Sequence, residues 1–424
     1  MQPKTHRIAT PARRAGAAAT MAGLFFAGLA HAQVVTDPTP RHRQGPAGTY
    51  SVFHDFDVSL GMLRGISRPN TPLTLAADGL LYGMTWQNGR TDGKAGGGAI
   101  YRVLPTGRVQ TVKVLTGRDG FDTTNNNSLT AHSDGLLYGT TMLGGAHYTG
   151  AYDGGVLFKL DPNGGYSLLW SFDCAAAIGC RPGGPLLEAS DGSLYGATQT
   201  TIFRRAPDGV FSVLAPVPAW DFDAAGPRAI APDDQIYWVN RTVNGLNAIY
   251  RVDTVSGSIT VLHDFGTQSE GSELSSLMWA DGLLYGTTRR GSPLGGGSLF
   301  SLSPGGEYTL LRSFPSPSSV RPMVAFKSPD GRLYGSTAGD IFLTEGDRYG
   351  SLWRVAPTGE NFETLLSFAG ENGDLRGERT ADDLELSLLP DGRVVAPRKN
   401  GGLHDVGGLF VLTPPAPPAP AGAR

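Results

Sequence analysis

Apolar and polar positions alternate along most of this chain in short runs, each bounded by Gly, Asp, Asn or Pro. The run Tyr166-Ser167-Leu168-Leu169-Trp170-Ser171-Phe172 sets large rings against serines and a leucine. A period of two predicts a strand with one face buried more deeply than the other. Gly155-Val156-Leu157-Phe158-Lys159-Leu160 precedes it, and the turn Asp161-Pro162-Asn163-Gly164-Gly165 joins the two. No helical period of comparable length competes with this pattern.

One unit returns along the chain, centred on Asp-Gly-x-Leu-Tyr-Gly-x-Thr. Its copies begin at Asp78, Asp134, Asp191, Asp281 and Asp330, with degenerate copies at Asp233 and Asp391. The steps between them are 56, 57, 42, 48, 49 and 61 residues, a period that signals a propeller or solenoid. Each unit reads as four strands. An apolar strand leads into Asp-Gly, the strongest short hairpin signal, expected here as a turn with both central residues at positive φ. The Leu-Tyr-Gly-x-Thr strand follows, then a variable Gly-rich loop, then a third and a fourth strand. The seventh unit lacks its fourth strand, ending at Gly408-Leu409-Phe410-Val411-Leu412. An orphan fourth strand, Thr49 to Phe56, precedes the first. Joining the two predicts an all-β, seven-bladed β-propeller of four-stranded blades, the last closed by the N-terminal strand.

The motif, with the Gly-Gly pair, aromatic strand and closing Ser-Phe that follow it, resembles the GloVer-type tandem repeat of secreted bacterial proteins (the choice-of-anchor tandem repeat family). The resemblance spans about residues 50–412 and is tightest over 281–314. It departs at 233–240, where Trp238 replaces the motif Gly. It implies the fold and export, and little about chemistry.

The termini add a compartment. Lys4, Arg7, Arg13 and Arg14 precede an apolar run ending at Leu29, and Ala30-His31-Ala32 fits a small-x-small cleavage site. The expected organisation is a secretory signal at 1–32, a linker at 33–48, the propeller at 49–412 and a Pro-rich tail at 413–424. The mature chain then carries 31 basic and 38 acidic residues, a net charge of −7, which argues against a nucleic-acid partner. No mature segment is apolar enough for a transmembrane anchor, so a periplasmic or extracellular location is expected. In such an oxidising compartment Cys174 and Cys180 are expected to form a local disulfide.

The repeated residues read as structural: Asp-Gly as a turn, Tyr and Thr as strand packing, Gly for a close backbone approach. Function is expected where copies differ, on the face formed by the second-to-third-strand loops and the blade-joining loops. The candidate ligand-binding residues there are Trp86, Arg90, His147, Tyr148, Arg241, Arg289, Arg290, Arg398 and His404. The blade-joining loops add Arg68, Arg118, Asp119, Arg181 and Arg321. Arginine forks recognise carboxylate and sulfate, and flat rings suit sugar faces, so the expected role is a non-catalytic binding or scaffold propeller for an anionic glycan or envelope ligand. A carbohydrate-active enzyme would need paired carboxylates, with Asp221, Asp223, Asp347 and Glu371 as candidates, or a lyase base such as His147 or His404. An assembly module would instead show an exposed apolar patch. No nucleophile elbow, zinc motif, Walker loop or dinucleotide fingerprint occurs, so no metal or cofactor is expected. Asp119 to Asn125 reads as a polar turn rather than a calcium loop.

Overall fold

The computed structural model describes residues 43–45, 48–56, 67–69, 71–87, 97–121, 123, 128–148, 154–217, 226–241, 247–266, 269–315, 321–338, 350–367, 386–398 and 407–415. Among them there is no helix. The strands form seven antiparallel sheets, the blades of a β-propeller. Blades 2 to 6 run straight through the sequence, at 130–171, 183–216, 226–264, 272–315 and 322–367. Blade 1 spans 67–114, its first strand split into Ser67–Pro69 and Thr74–Leu75. Blade 7 takes three strands from 387–413 and its fourth from Gly48–Asp55, which pairs antiparallel with Gly408–Thr413. A further strand, Arg43–Gly45, lies outside that closing strand.

The ring closes through the blades' apolar faces. Seven core clusters each join two neighbouring blades. Tyr334 and Leu352 of blade 6 pack with Val394 and Phe410 of blade 7, and Val395 and Leu409 of blade 7 pack with Leu81 and Tyr101 of blade 1. The first strands of neighbouring blades touch one another, which puts them nearest the axis.

The repeated motif is consumed by this frame. At Asp78, the Gly79 N–H donates to the Ala76 carbonyl, the Ala76 N–H to the Leu80 carbonyl, and the Asp78 carboxylate accepts from the Leu80 N–H. The same set returns at Asp134, Asp191, Asp330 and Asp391. It is a turn with only its last residue left-handed, not the two-residue turn expected from Asp-Gly. The two-residue form occurs at Asp281-Gly282, where both φ values are positive. In the degenerate copy, Asp234 itself adopts φ 62 in place of the glycine, which Asp tolerates better than most residues.

The second carboxylate oxygen explains the Tyr four residues on. Tyr82, Tyr138 and Tyr334 donate to Asp78, Asp134 and Asp330 at 2.8, 2.8 and 3.0 Å. The motif Gly faces an aromatic ring directly across on the third strand: Gly83 pairs with Tyr101, Gly139 with Phe158, Gly286 with Phe300. A Cβ at Gly139 would stand 2.6 Å from Phe158 Cζ, inside contact distance. Crowding by this ring, within the same blade, fixes the glycine. Blade 4 reverses the arrangement, with Trp238 opposite Tyr250 and buried among Ile202 and Val252.

The regular alternation expected of the fourth strands fails for one reason. In all seven blades a register shift falls at the same place, where the fourth strand passes the residue before the third-strand aromatic. The extra residue is a β-bulge, which breaks the period of two. Tyr166, before the bulge, therefore packs toward blade 1, while Trp170, after it, stacks on Phe211 of blade 3.

Candidate functional site

Strand order places two sets of connections on one face: the loops after each second strand and those leading from one blade to the next. The residues at the ends of the second strands are less loop-like than the sequence suggests. Trp86, Arg241, Arg289, Arg290 and Arg398 all lie in strands, because pairing continues beyond the motif Thr, with the first strand in Ser67 with Gln87 and Ser272 with Arg290, and with the third in Arg241 with Asn247 and Arg398 with Gly408. The side chains of Trp86, Arg241 and Arg398 lie outside the described residues, as do Arg90 and His404 entirely. Asp221, Asp223, Asp347 and Glu371 lie outside them too, as do residues 122, 124 and 125 of the segment that starts at Asp119.

Two corners of this face carry predicted candidates whose side chains are described, three blades apart on the ring. At blade 2, Met142 and Leu143 follow the motif Thr and are buried with Phe121. Tyr148 sits edge-on to Phe121, 4.9 Å between ring centroids, and is partly exposed. His147 Nδ1 lies 3.7 Å from Asp173 Oδ2, both well exposed. Asp173 begins the connection to blade 3, where a disulfide joins Cys174 and Cys180 with Cα atoms 4.6 Å apart. At blade 5, Arg289 and Arg290 occupy the register of Met142 and Leu143, since Thr288 pairs with Ser298 as Thr141 does with Val156. Arg290 Nε lies 3.6 Å from Glu273 Oε1. This exposed ion pair contributes ~0–1 kcal/mol. The structure therefore keeps His147 and Tyr148 together, and Arg289 and Arg290 together, on different sides of the ring.

A third feature links two of the blade-joining residues with one the sequence did not single out. Arg181 and Arg321, shortly ahead of the first strands of blades 3 and 6, and Glu273, near the start of that of blade 5, have φ of 55, 42 and 58. Their registers match: Arg181 precedes Pro182-Gly183, which pairs with Ala197, and Arg321 precedes Pro322, which pairs with Thr337. The following proline disfavours helical backbone at the preceding residue. The Arg181 N–H donates to the Gly154 carbonyl at 2.7 Å, and the Arg321 carbonyl accepts from Ala338 at 3.5 Å. Left-handed backbone at a non-glycine residue costs about 1–3 kcal/mol and persists only where surroundings impose it. The signal was legible as Arg-Pro, which occurs at Arg68-Pro69, Arg181-Pro182 and Arg321-Pro322.

Ionisation on the described part of this face is governed by packing. His263, behind the blade 5 corner, stacks on Tyr308 at 5.0 Å with Glu270 3.7 Å away. Burial lowers its pKa from 6.5 against the pull of Glu270. No group of three or more potential metal ligands occurs among the described residues, and no described helix is long and apolar enough to cross a membrane.

The profile of the Gloeobacter/Verrucomicrobia repeat matches residues 42–237 and 197–410. No curated protein matches the sequence. Among solved structures, an oligogalacturonate lyase from Vibrio parahaemolyticus superposes with a TM-score of 0.58 at 12% identity, over 89% of this chain and 98% of that one. A streptogramin B lyase gives 0.54 at 15% identity, over 86% and 98%. The virginiamycin B lyase of Staphylococcus aureus gives 0.54 at 13% identity, over 86% and 99%. At these identities the likeness is one of fold.

Proposed function

We propose, from the premise that the chain belongs to the Gloeobacter/Verrucomicrobia repeat family, that it is an exported binding propeller whose ligand is an anionic glycan or envelope polysaccharide. The observation that carries this reading is the pair Arg181 and Arg321, held in left-handed backbone at one register where the first strands begin. The strain is common to this register, since Glu273 shares it in blade 5, so the reading rests on the charge and spacing of the two arginines. Guanidinium forks spaced around a ring suit a polymer carrying carboxylates or sulfates at intervals. Arg289 and Arg290 add cationic groups at blade 5, and Tyr148 offers a partly exposed ring at blade 2.

A second reading, cleavage of an acidic polysaccharide, draws on the fold-level likeness to an oligogalacturonate lyase. His147 beside Asp173 would then be the described candidate base. A screen of the chain from Gln33 onward against uronate-containing and sulfated polysaccharides, with mass spectrometry of the products, separates the two. Binding weakened by salt, with the polymer intact, is expected. Unsaturated or shortened products would establish the enzyme instead. Absence of binding would shift the role to a protein partner, with Leu168, Trp170 and Val213 as the exposed apolar residues to examine.

A further inference from the structure

The opposite face of the propeller carries the first-to-second-strand and third-to-fourth-strand turns, and its junctions between blades are mostly filled. Between blades 1 and 2, Arg102 donates to the Pro162 carbonyl at 3.3 Å. Between blades 6 and 7, Arg354 reaches the Pro415 carbonyl at 2.9 Å. Further out, the fourth strands are fastened by ring contacts: Lys113 over Tyr166, Trp170 on Phe211, His263 on Tyr308, Arg312 over Phe362.

Among the described residues, the junction between blades 3 and 4 has neither fastening, and Ser190 bonds to Asp234 across it. Arg204, at the register of Arg102 and Arg354, turns back to Asp191 of its own blade at 2.9 Å. Ala215 pairs with Ile202 where Trp170 pairs with Leu157, and Ile259 stands in the place of Tyr166 or Tyr308. The facing turn of blade 4 is also longer. The Asp253 N–H donates to Ser258, whereas the corresponding bonds elsewhere run from Leu104 to Arg108, Ala206 to Val210, Ser303 to Glu307 and Ala356 to Glu360. A groove of about 460 Å³ results, within the range of small-molecule sites.

Its lining sets its chemistry. The Asp234 carboxylate already accepts from the Ser190 N–H and hydroxyl, and that of Asp191 from Ser193 and Arg204, so neither is an unmatched charge awaiting a cation. Tyr195, Ser212, Thr254 and Ser256 line the same space, the Ser256 hydroxyl bonded to Asp253 and Ser258, and Val213, Leu214 and Val255 add aliphatic surface. Donors and acceptors of both kinds beside aliphatic patches complement a neutral sugar ring, with its hydroxyl rim and C–H faces. We infer that the groove between blades 3 and 4 is a second ligand site, for a neutral mono- or disaccharide, on the face opposite the arginine-bearing one.

This inference is independent of the proposed anionic ligand, and one experiment separates them. The probes are maltose, cellobiose, lactose and sucrose, titrated by isothermal calorimetry and observed by saturation-transfer NMR. Val255 is 94% exposed at the tip of the turn, so Val255→Trp fills the groove without touching the core. Ser212→Trp fills it from the fourth strand of blade 3 and serves if the first variant misfolds. At least one sugar is expected to bind, with both variants weakening it by roughly tenfold or more, about 1.4 kcal/mol, and Arg321→Gly leaving it unchanged. Binding that survives both groove-filling variants overturns the site, and so does a folded wild-type protein that binds none of the four.

Discussion

The two faces of this propeller use the same repeat differently. On the turn face, the repeated Asp, Gly and Tyr are engaged in hydrogen bonds and packing that recur from blade to blade. On the loop face, equivalent positions carry unlike residues, such as buried Met142 and Leu143 in blade 2 against Arg289 and Arg290 in blade 5. Repetition marks what the fold needs, and departure from it marks where chemistry is free to differ.

The degenerate blade offers the severest test of that division. Trp238 replaces the motif Gly, yet it is buried and packs across the junction of blades 3 and 4. Restoring the repeat with Trp238→Gly is therefore expected to destabilise the protein by about 3–5 kcal/mol, as for deletion of a buried large ring. Urea unfolding monitored by circular dichroism measures it, and an unchanged midpoint would mean that the motif glycine, not the tryptophan, suits that blade.

The converse substitution comes next in size. Gly286→Val would drive a side chain into the Phe300 ring. A loss of about 1–3 kcal/mol is expected from overpacking, read in the same unfolding experiment.

A smaller effect is expected from pH. At Asp191 the Ser193 N–H, opposed by burial and assisted by the Ser193 hydroxyl and Arg204, holds the carboxyl below its ordinary 3.8. His263 is held below 6.5 by burial. Both groups bind protons less readily in the folded state, so the unfolded state gains as pH falls. Stability is expected to be full above about pH 7, to decline below 6.5 as His263 protonates in the unfolded chain, and to fall again below 4 through the carboxylates. Denaturant midpoints at pH 7.5 and 5.5 should differ less in His263→Phe than in the wild-type protein. An equal drop in both would remove His263 from the account.

The smallest stability change is expected where the functional change is largest. Arg321→Gly suits φ 42 and relieves strain, so the unfolding midpoint should stay the same or rise slightly. Binding of an acidic polysaccharide should weaken by roughly tenfold, the loss of about one charge-assisted contact. A stability loss without a binding loss would make the arginine structural.

Much of this architecture was legible because it is periodic. The steps between the Asp-Gly copies, the missing fourth strand after Leu412 and the spare one at Thr49 defined seven blades and their closure. The turn geometry was not, because Asp-Gly serves both the two-residue turn at Asp281 and the longer turn elsewhere, and the choice depends on strand register. The fourth-strand bulge left no mark on composition, so alternation put Tyr166 and Trp170 on one face although they pack toward different blades. At the candidate site, sequence could name variable loop residues but not place them around a ring. His147 and Arg290 thus looked like one set although blades 2 and 5 hold them. The groove between blades 3 and 4 is lined by Arg204, turned back to Asp191, and by a turn one residue longer than its counterparts, which no local pattern announces.

The most direct test of the binding role is the affinity of the chain from Gln33 onward for an acidic polysaccharide such as polygalacturonate, compared between wild type and the double variant Arg181→Gly, Arg321→Gly at two salt concentrations. Salt-sensitive binding by the wild-type protein is expected, with that binding lost in the double variant and thermal stability equal or slightly higher. Binding of equal strength and equal salt dependence in both proteins would contradict it.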